Sequence, residues 1–564
     1  MNRMVSGTAL AIILLIAVSA ASPRTWVYFT DKGHHDSAAL RAALQQETER
    51  LHPRTKARLL KARDVDDLIT ERDLPVSSQY LAVIEELTGQ KPHAVSRWLN
   101  AASFAFAAHD IALVKELPFA ASVHAVRQYR AEKEVEAEPS SLKQQYRLVA
   151  DSLFYGTSYN QNALENFPPA HEAGYTGEGV LVGMLDAGWN NLAHVCFDSL
   201  EIVATWDFVN GDSSVADDPG QPESGSHGTK TLSCMAGFEE GELIGTAYGI
   251  SVALAKTENT IGEMPIEEDN WAAGIEWLDS LGCQVATSSV SYTYFDDATG
   301  YDYDERDGDT AVITIAGDYA VSRGIVVLNS NGNKGGYSYP DNKMSVPADG
   351  DSVLACGAVY LDSTKTSFSS LGPTYDGRIK PDLVALGYNV RVARTSDTTG
   401  YSVSSGTSFS TPITAGACAL LLQADPGLTP MQVHQFLKET AHNAAIPDTL
   451  IGWGVYDVWQ AVQNVLAPVN DPGINTEPTE FKLLSAYPNP FNSSVLLTFQ
   501  LERPSEVRIS IYSLNGKLIS SHSEGYGPGY NQYRQHFDAA SSGIYLCRIV
   551  TDNHTAAIKL LYLK

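Results

Sequence analysis

The chain has 564 residues, and 39 Lys and Arg against 66 Asp and Glu give it a formal charge of −27. Apolar residues at 44% and charged residues at 19% supply ample core, which excludes a wholly disordered chain. So acidic a molecule repels phosphates, which argues against nucleic-acid binding. Its 6 cysteines are too few for a disulfide framework. No apolar run reaches the ~20 residues of a transmembrane segment. The charge imbalance sits in one place. Residues 145–467 carry 13 basic and 41 acidic groups, while 24–140 and 468–564 are nearly balanced. We read this as three separately built parts, the middle one kept dispersed by its own charge.

In chain order, Arg3 precedes a short apolar run over 9–18 and then Ser19-Ala20-Ala21-Ser22. That pattern predicts a secretory signal peptide over 1–21, with everything downstream working outside the cytoplasm. Residues 24–140 read as a small α/β unit. Strands are expected over 26–30, 95–107 and 117–119, and helices over 38–60 and 80–88. Residues 131–139 have the charged, apolar-poor composition of a linker. Over 145–467, short apolar strands (180–185, 285–290, 324–329 and 353–360) alternate with helical stretches. This is the pattern of a doubly wound, mostly parallel sheet covered by helices. Pro468, Pro472, Gly473 and Pro478 mark a linker over 468–480. Residues 481–564 carry short alternating strands and an Asn515-Gly516 hairpin signal, which predicts a C-terminal β-sandwich.

Zinc-peptidase HExxH, CxxC and GxSxG patterns are absent. Four other features carry chemistry. The apolar run 180–185 ends in Asp186-Ala187-Gly188, placing a carboxylate at the C-terminal end of a buried parallel strand, where open α/β sheets hold their sites. His227 lies between glycines in Gly225-Ser226-His227-Gly228-Thr229, at an expected helix start over 229–236 whose dipole keeps an imidazole neutral and basic. Asn333 ends Ser330-Asn331-Gly332-Asn333 after a strand, and its amide can donate to a developing oxyanion. Ser408, in Gly406-Thr407-Ser408-Phe409-Ser410-Thr411-Pro412, precedes an apolar helix over 413–422, so unpaired backbone N–H groups surround it. Alone, each has an ordinary reading: turn aspartate, surface histidine, Asn/Gly turn, helix-cap serine.

Their joint order, Asp…His…Ser, is another matter. With the Gly174-Tyr175-Thr176-Gly177-Glu178-Gly179 lead-in and Phe368-Ser369-Ser370-Leu371-Gly372-Pro373, these stretches resemble the subtilisin-like serine peptidases (peptidase S8) over about 150–467. The resemblance implies a secreted serine endopeptidase with a subtilisin-like α/β fold. Asp186 would be the orienting carboxylate, His227 the base, Ser408 the nucleophile and Asn333 the oxyanion donor. It also implies that Ser289, Val290 and Ser291 line up extended substrate. Ala187 and Asn331 depart from the residues usual in that family, without removing a triad atom. Residues 24–140 resemble a peptidase propeptide, implying that the chain's own prosegment is a partner, both chaperone and inhibitor. Tyr487-Pro488-Asn489-Pro490-Phe491-Asn492 and Ser542-Gly543-Ile544-Tyr545 resemble a type IX secretion sorting domain, implying a second partner in that machinery and export across an outer membrane.

No cofactor is required by this chemistry. The carboxylates over 302–309 offer oxygen ligands for Ca2+, but an acidic solvated loop with Asp309 capping a helix over 310–323 is the preferred reading. Cys196 and Cys234 are a candidate pair, and Cys283, Cys356 and Cys418 read as buried thiols. Two rival classes are a binding protein that keeps the fold without turnover, and an exopeptidase on the same scaffold.

Overall fold

The computed structural model describes residues 24–63, 68–125, 151–218, 225–258, 267–292, 300–467, 482–487, 494–501, 503–513, 516–527, 529–537, 543–551 and 554–562. The expected signal peptide, the linkers over 131–139 and 468–480, Pro488–Asn492, Asn515 and Ser542 lie outside them.

The N-terminal unit is a four-stranded antiparallel sheet in the order β2-β3-β1-β4. Its strands are β1 (Arg24–Phe29), β2 (Ala94–Ser96), β3 (Ala101–Ala105) and β4 (Ala120–Ala125), and its helices are α1 (Ser37–Arg50), α2 (Pro53–Ala62), α3 (Ser78–Thr88) and α4 (Ala108–Lys115). The single helix expected over 38–60 is two. Proline fits the first helical turn without loss but costs a hydrogen bond and a clash in a helix interior, so Pro53 starts a new helix instead of continuing α1. The strand expected over 95–107 is likewise divided, by a turn with Asn100 at φ 50°. Leu117-Pro118-Phe119 is a turn leading into β4. Val27, Phe29, Ile84, Phe104 and Phe106 form the core of this unit.

The central part opens with short helices α5 (Asp151–Tyr155), α6 (Tyr159–Ala163) and α7 (Phe167–Glu172). Its strands are β5 (Leu181–Asp186), β6 (Glu201–Asp207), a ribbon of β7 (Phe238–Glu239) and β8 (Leu243–Ile244), β9 (Ser251–Lys256), β10 (Val285–Ser288), β11 (Val326–Ser330), β12 (Leu354–Val359), β13 (Leu383–Leu386) and a hairpin of β14 (Val390–Ala393) and β15 (Tyr401–Ser404). Seven of these make one parallel sheet in the order β13-β12-β11-β10-β5-β9-β6. Helices α8 (Gly225–Ala236), α9 (Glu267–Leu281), α10 (Val312–Ser322), α11 (Thr407–Ala424), α12 (Pro430–Thr440) and α13 (Val458–Leu466) surround it.

Burial follows the period of two. Val182, Met184, Val252, Leu254, Val326 and Leu328 face one core with α11. Leu181, Leu185, Ala253, Ala255 and Val327 face the other, with Trp271 and Ile275 of α9 and Ile313 of α10. A strand buried on both faces reads as a continuous apolar run, which is why β5, β10, β11 and β12 were visible in the sequence, whereas β6, β9 and β13 were not anticipated. Each fully buried Leu or Val contributes about 1.5–3 kcal/mol. After β5 the chain sets β6 and then β9 on one side, β9 lying between β5 and β6, and from β10 it builds the opposite way. The β5–β10 boundary is therefore the switch point, and a crevice outside its carboxyl ends is where such sheets bind ligands.

The C-terminal strands β16 (Lys482–Tyr487), β17 (Ser494–Leu501), β18 (Ser505–Ser513), β19 (Leu518–Tyr526), β20 (Gly529–His536), β21 (Gly543–Val550) and β22 (Thr555–Tyr562) form two antiparallel sheets, β16-β17-β20 and β19-β18-β21-β22. Alternate residues of both sheets, Val495, Leu497 and Phe499 with Val507, Ile509, Ile511 and Ile549, share one core. This is a β-sandwich. Among the described residues no helix is long and apolar enough to cross a membrane.

Candidate active site

Asp186 is the last residue of β5, in register with Lys256 of β9. Its side chain is completely buried, which penalises a carboxylate unless donors surround it. Three do. The His227 ring lies with Nδ1 2.6 Å from Oδ1, the Ala187 N–H donates to the same oxygen at 2.7 Å, and the Thr231 hydroxyl donates to Oδ2 at 3.0 Å. A carboxylate accepts, so Nδ1 carries the ring proton and Nε2 keeps its lone pair.

Helix α8 begins at Gly225, earlier than expected, so His227 sits within the first turn. Thr231 is four residues on, on the same helix face, and reaches the same carboxylate. Gly228 makes this approach feasible: a Cβ there would lie 2.2 Å from the Gly188 carbonyl oxygen. The His227 side chain is 18% exposed, so its outer nitrogen is not sealed off. Its ring centroid lies 6.2 Å from that of Phe409, the residue after Ser408.

Ser408 is the second residue of α11, which starts at Thr407 rather than at 413. Pro412 is four residues later, and without an N–H it cannot bond the Ser408 carbonyl as a helix would. The Ser289 hydroxyl fills that vacancy, donating to the Ser408 carbonyl at 2.9 Å. In return the Ser408 hydroxyl donates to the Ser289 carbonyl at 3.2 Å. Thus the segment after β10 grips the Ser408 backbone while holding its hydroxyl.

Asn333 follows β11 across the β10 strand. Its Oδ1 accepts both the N–H and the hydroxyl of Thr407, each at 3.0 Å. Those two donors assign the amide oxygen and turn the NH2 the other way. Gly406, at φ 153°, leaves the space open there. A Cβ on it would sit 3.5 Å from Asn333 Nδ2 and 3.7 Å from Ser408 N. A side-chain donor and a helix-start N–H thus border one small space, the geometry an oxyanion requires. The neighbouring Asn331, unusual at its position, is occupied elsewhere: its Nδ2 donates to the Ser370 carbonyl at 2.7 Å.

Four residues singled out from the sequence are therefore gathered at the carboxyl edge of β5, β10 and β11 and the start of α11. Of the expected substrate segment, Ser289 is committed to Ser408, Val290 is 9% exposed and packs into the core, and Ser291 is 7% exposed. The acidic loop over 302–309 is capped, but by a different carboxylate. Asp307, not Asp309, caps the turn, accepting from Asp309 N and Thr310 N at 2.9 Å, and the helix begins at Val312. No group of three or more His, Cys, Asp or Glu converges as a metal cage among the described residues. Cys196 and Cys234 are not joined; all six cysteines are buried thiols.

Sequence reasoning assigned no role to Thr231 or Glu258. Thr231 had a signal, its i+4 spacing from His227. Glu258 had the signal that found Asp186, a charged residue just past an apolar strand, but β9 itself was not anticipated.

Comparison with known proteins identifies the family of each part of the chain. The model of the Subtilase family (Peptidase S8) matches residues 177–454. That of the Peptidase S8 propeptide domain of Bacteroidota matches 24–141, and that of a secretion-system C-terminal sorting domain matches 485–562. Subtilisin DY of Bacillus licheniformis is 31% identical over 291 residues, 51% of this chain and 93% of that protein. Subtilisin BL of Lederbergia lenta is 30% identical over 275 residues, 49% and 87% respectively. Among solved structures, a protease from Pseudoalteromonas arctica superposes with TM-score 0.44 at 23% identity, covering 55% of this chain and 97% of that one. The family model and the subtilisin relatives define a serine-type endopeptidase. The chain belongs to the subtilase family, with a propeptide domain before the peptidase and a sorting domain after it. The sorting domain implies secretion or attachment at the cell surface.

Proposed function

We propose that this endopeptidase cleaves peptide bonds through Ser408, His227 and Asp186, with Asn333 and the Ser408 N–H as oxyanion donors. The observation that carries this reading is the donor set around Asp186 together with the doubly anchored Asn333 beside the Ser408 N–H. His227 Nε2 takes the Ser408 proton as the hydroxyl oxygen attacks the substrate carbonyl. Asp186 holds the imidazole in that tautomer and stabilises the imidazolium. The tetrahedral oxyanion forms in the space at Gly406, and His227 returns the proton to the leaving amine. Extended substrate lies along the backbone of Val290 and Ser291, beyond the Ser289 anchor.

The same reading divides the chain at about residues 140 and 468. Residues 1–21 direct export, 24–140 assist folding and occlude the enzyme until they are cleaved away, and 481–564 present the protein to a type IX secretion system. Ca2+ is not assigned a step.

A fluorophosphonate probe tests the mechanism. The mature, propeptide-free enzyme takes up one label on Ser408, located by peptide mass spectrometry, and Ser408→Ala takes up none. Absence of labelling on folded mature protein would favour a binding protein that kept the fold. Intact mass of the secreted form checks both termini, and product lengths from an unfolded protein substrate separate endo- from exo-cleavage.

A further inference from the structure

Next to the proposed triad stands a carboxyl that this mechanism does not use. Glu258 lies two residues beyond Lys256, the register partner of Asp186, and the intervening Thr257 N–H donates to the Asp186 carbonyl at 3.1 Å. Glu258 is 1% exposed. Its Oε1 accepts two neutral hydroxyls, Tyr292 Oη and, at 3.1 Å, Thr257 Oγ1. Its Oε2 is buried with no partner among the described residues. Tyr292 is the residue after Ser291, so one hydroxyl links this carboxyl to the proposed substrate segment.

We propose that Glu258 is a positioning residue, a second buried carboxyl behind the Asp186–His227 pair that presents negative charge to the imidazole only when ionised and so sets the acidic edge of activity. The inference rests on His227 being the base. Among the described residues, the groups that face Glu258 are Asp186 from β5, His227 from α8 and Tyr292 from the segment after β10. From α9 comes the neutral Asn270 amide, bonded to the Thr257 carbonyl at 3.0 Å. Lys256 on its own strand is 3.1 Å from Asp207 and 3.8 Å from Asp217.

Burial pushes the Glu258 carboxyl up to about 7; the Tyr292 and Thr257 hydroxyls and the His227 charge pull it down, and Asp186 pushes it up. Its proton is therefore exchangeable in the range where an imidazole works. Once ionised, it favours imidazolium and raises the pH at which His227 becomes a free base.

The test is the pH dependence of kcat/KM for the mature enzyme on a chromogenic peptide anilide, for wild type, Glu258→Gln and Tyr292→Phe. Glu258→Gln cannot ionise, so the midpoint of the acid limb moves down by about half a pH unit or more. Tyr292→Phe removes a hydroxyl that favours the ionised form and moves the limb the same way, by less. Limbs that coincide with wild type overturn the proposal, and if Glu258→Gln does not melt cooperatively, Tyr292→Phe alone decides. A wild-type enzyme with no acid limb, or an active Ser408→Ala, would instead sink the triad reading beneath it.

Discussion

Two buried charge clusters in this molecule are built on opposite plans. One lies where the N-terminal unit meets α9 and α10. There Arg323 forks onto Asp279 (Nε–Oδ1 2.9 Å, Nη2–Oδ2 2.8 Å) and also bonds Asp73. Arg58 bonds Asp279, Arg63 lies 2.9 Å from Asp73, and the Tyr319 hydroxyl donates to Asp73 at 2.9 Å. Every charge has an opposite partner. Despite burial, the arginines hold the Asp73 and Asp279 carboxyls below their ordinary range. The other cluster is Asp186, His227 and Glu258. It has two carboxyls and one imidazole, and Glu258 is pushed up instead of down. Saturated pairing fixes protons and clamps two parts of the chain together. Deficient pairing leaves a proton able to move, which is what acid–base chemistry needs.

The largest effect should come from unbalancing the saturated cluster. Asp279→Ala strands Arg58 and one side of Arg323, and breaking a buried pair in this way costs about 3–5 kcal/mol. Comparing thermal melting of the unprocessed Ser408→Ala chain with and without Asp279→Ala measures it. Because the Asp279 carboxyl is depressed in the folded state, its stabilisation is complete above about pH 4 and fades only as pH falls through the lower folded value. The gap between the two melting temperatures should therefore stay level from pH 8 to 5 and close in stronger acid. A gap that widens there would mean the arginines are not its source.

Next comes Asn333→Ala. It should lower kcat about 10²–10³-fold with KM nearly unchanged, a magnitude known for the equivalent donor in subtilisin itself. A loss confined to KM would place Asn333 in substrate binding instead. Smallest is Thr231→Val, which removes one of three donors to Asp186. A net hydrogen bond to a charged group is worth about 1.5–3 kcal/mol, so kcat/KM should fall about 10- to 150-fold at most, with melting little changed.

The two clusters also differ in how far the sequence betrays them. Asp186, His227 and Ser408 each sit at the end or start of a regular element, flanked by glycines or by Ser and Thr, so local pattern offers them as candidates and their order along 222 positions gives them a joint role. The apolar runs of β5, β10, β11 and β12 were legible for the same reason. Edge strand β6, Glu201-Ile202-Val203-Ala204-Thr205-Trp206-Asp207, is only partly buried and reads ambiguously. Nothing local announces the clamp: Arg58 and Asp279 are 221 positions apart, and each looks like an ordinary charged residue on a helix. Pairing across two parts of a chain is a property of docking, which spacing does not encode. The Ser289–Ser408 exchange was similarly hidden, although Pro412 held the clue, since a proline inside α11 had to leave one carbonyl seeking a donor.

The fork between Arg323 and Asp279 lies wholly within the peptidase, while Arg58 and Asp73 come from the other side. If the prosegment departs, each loses one companion but retains the other, now hydrated. Departure thus strands no lone ion on the enzyme, whereas re-entry must dehydrate that couple again. Recapture of the excised piece should accordingly weaken as ionic strength rises, giving the maturation step the character of a ratchet.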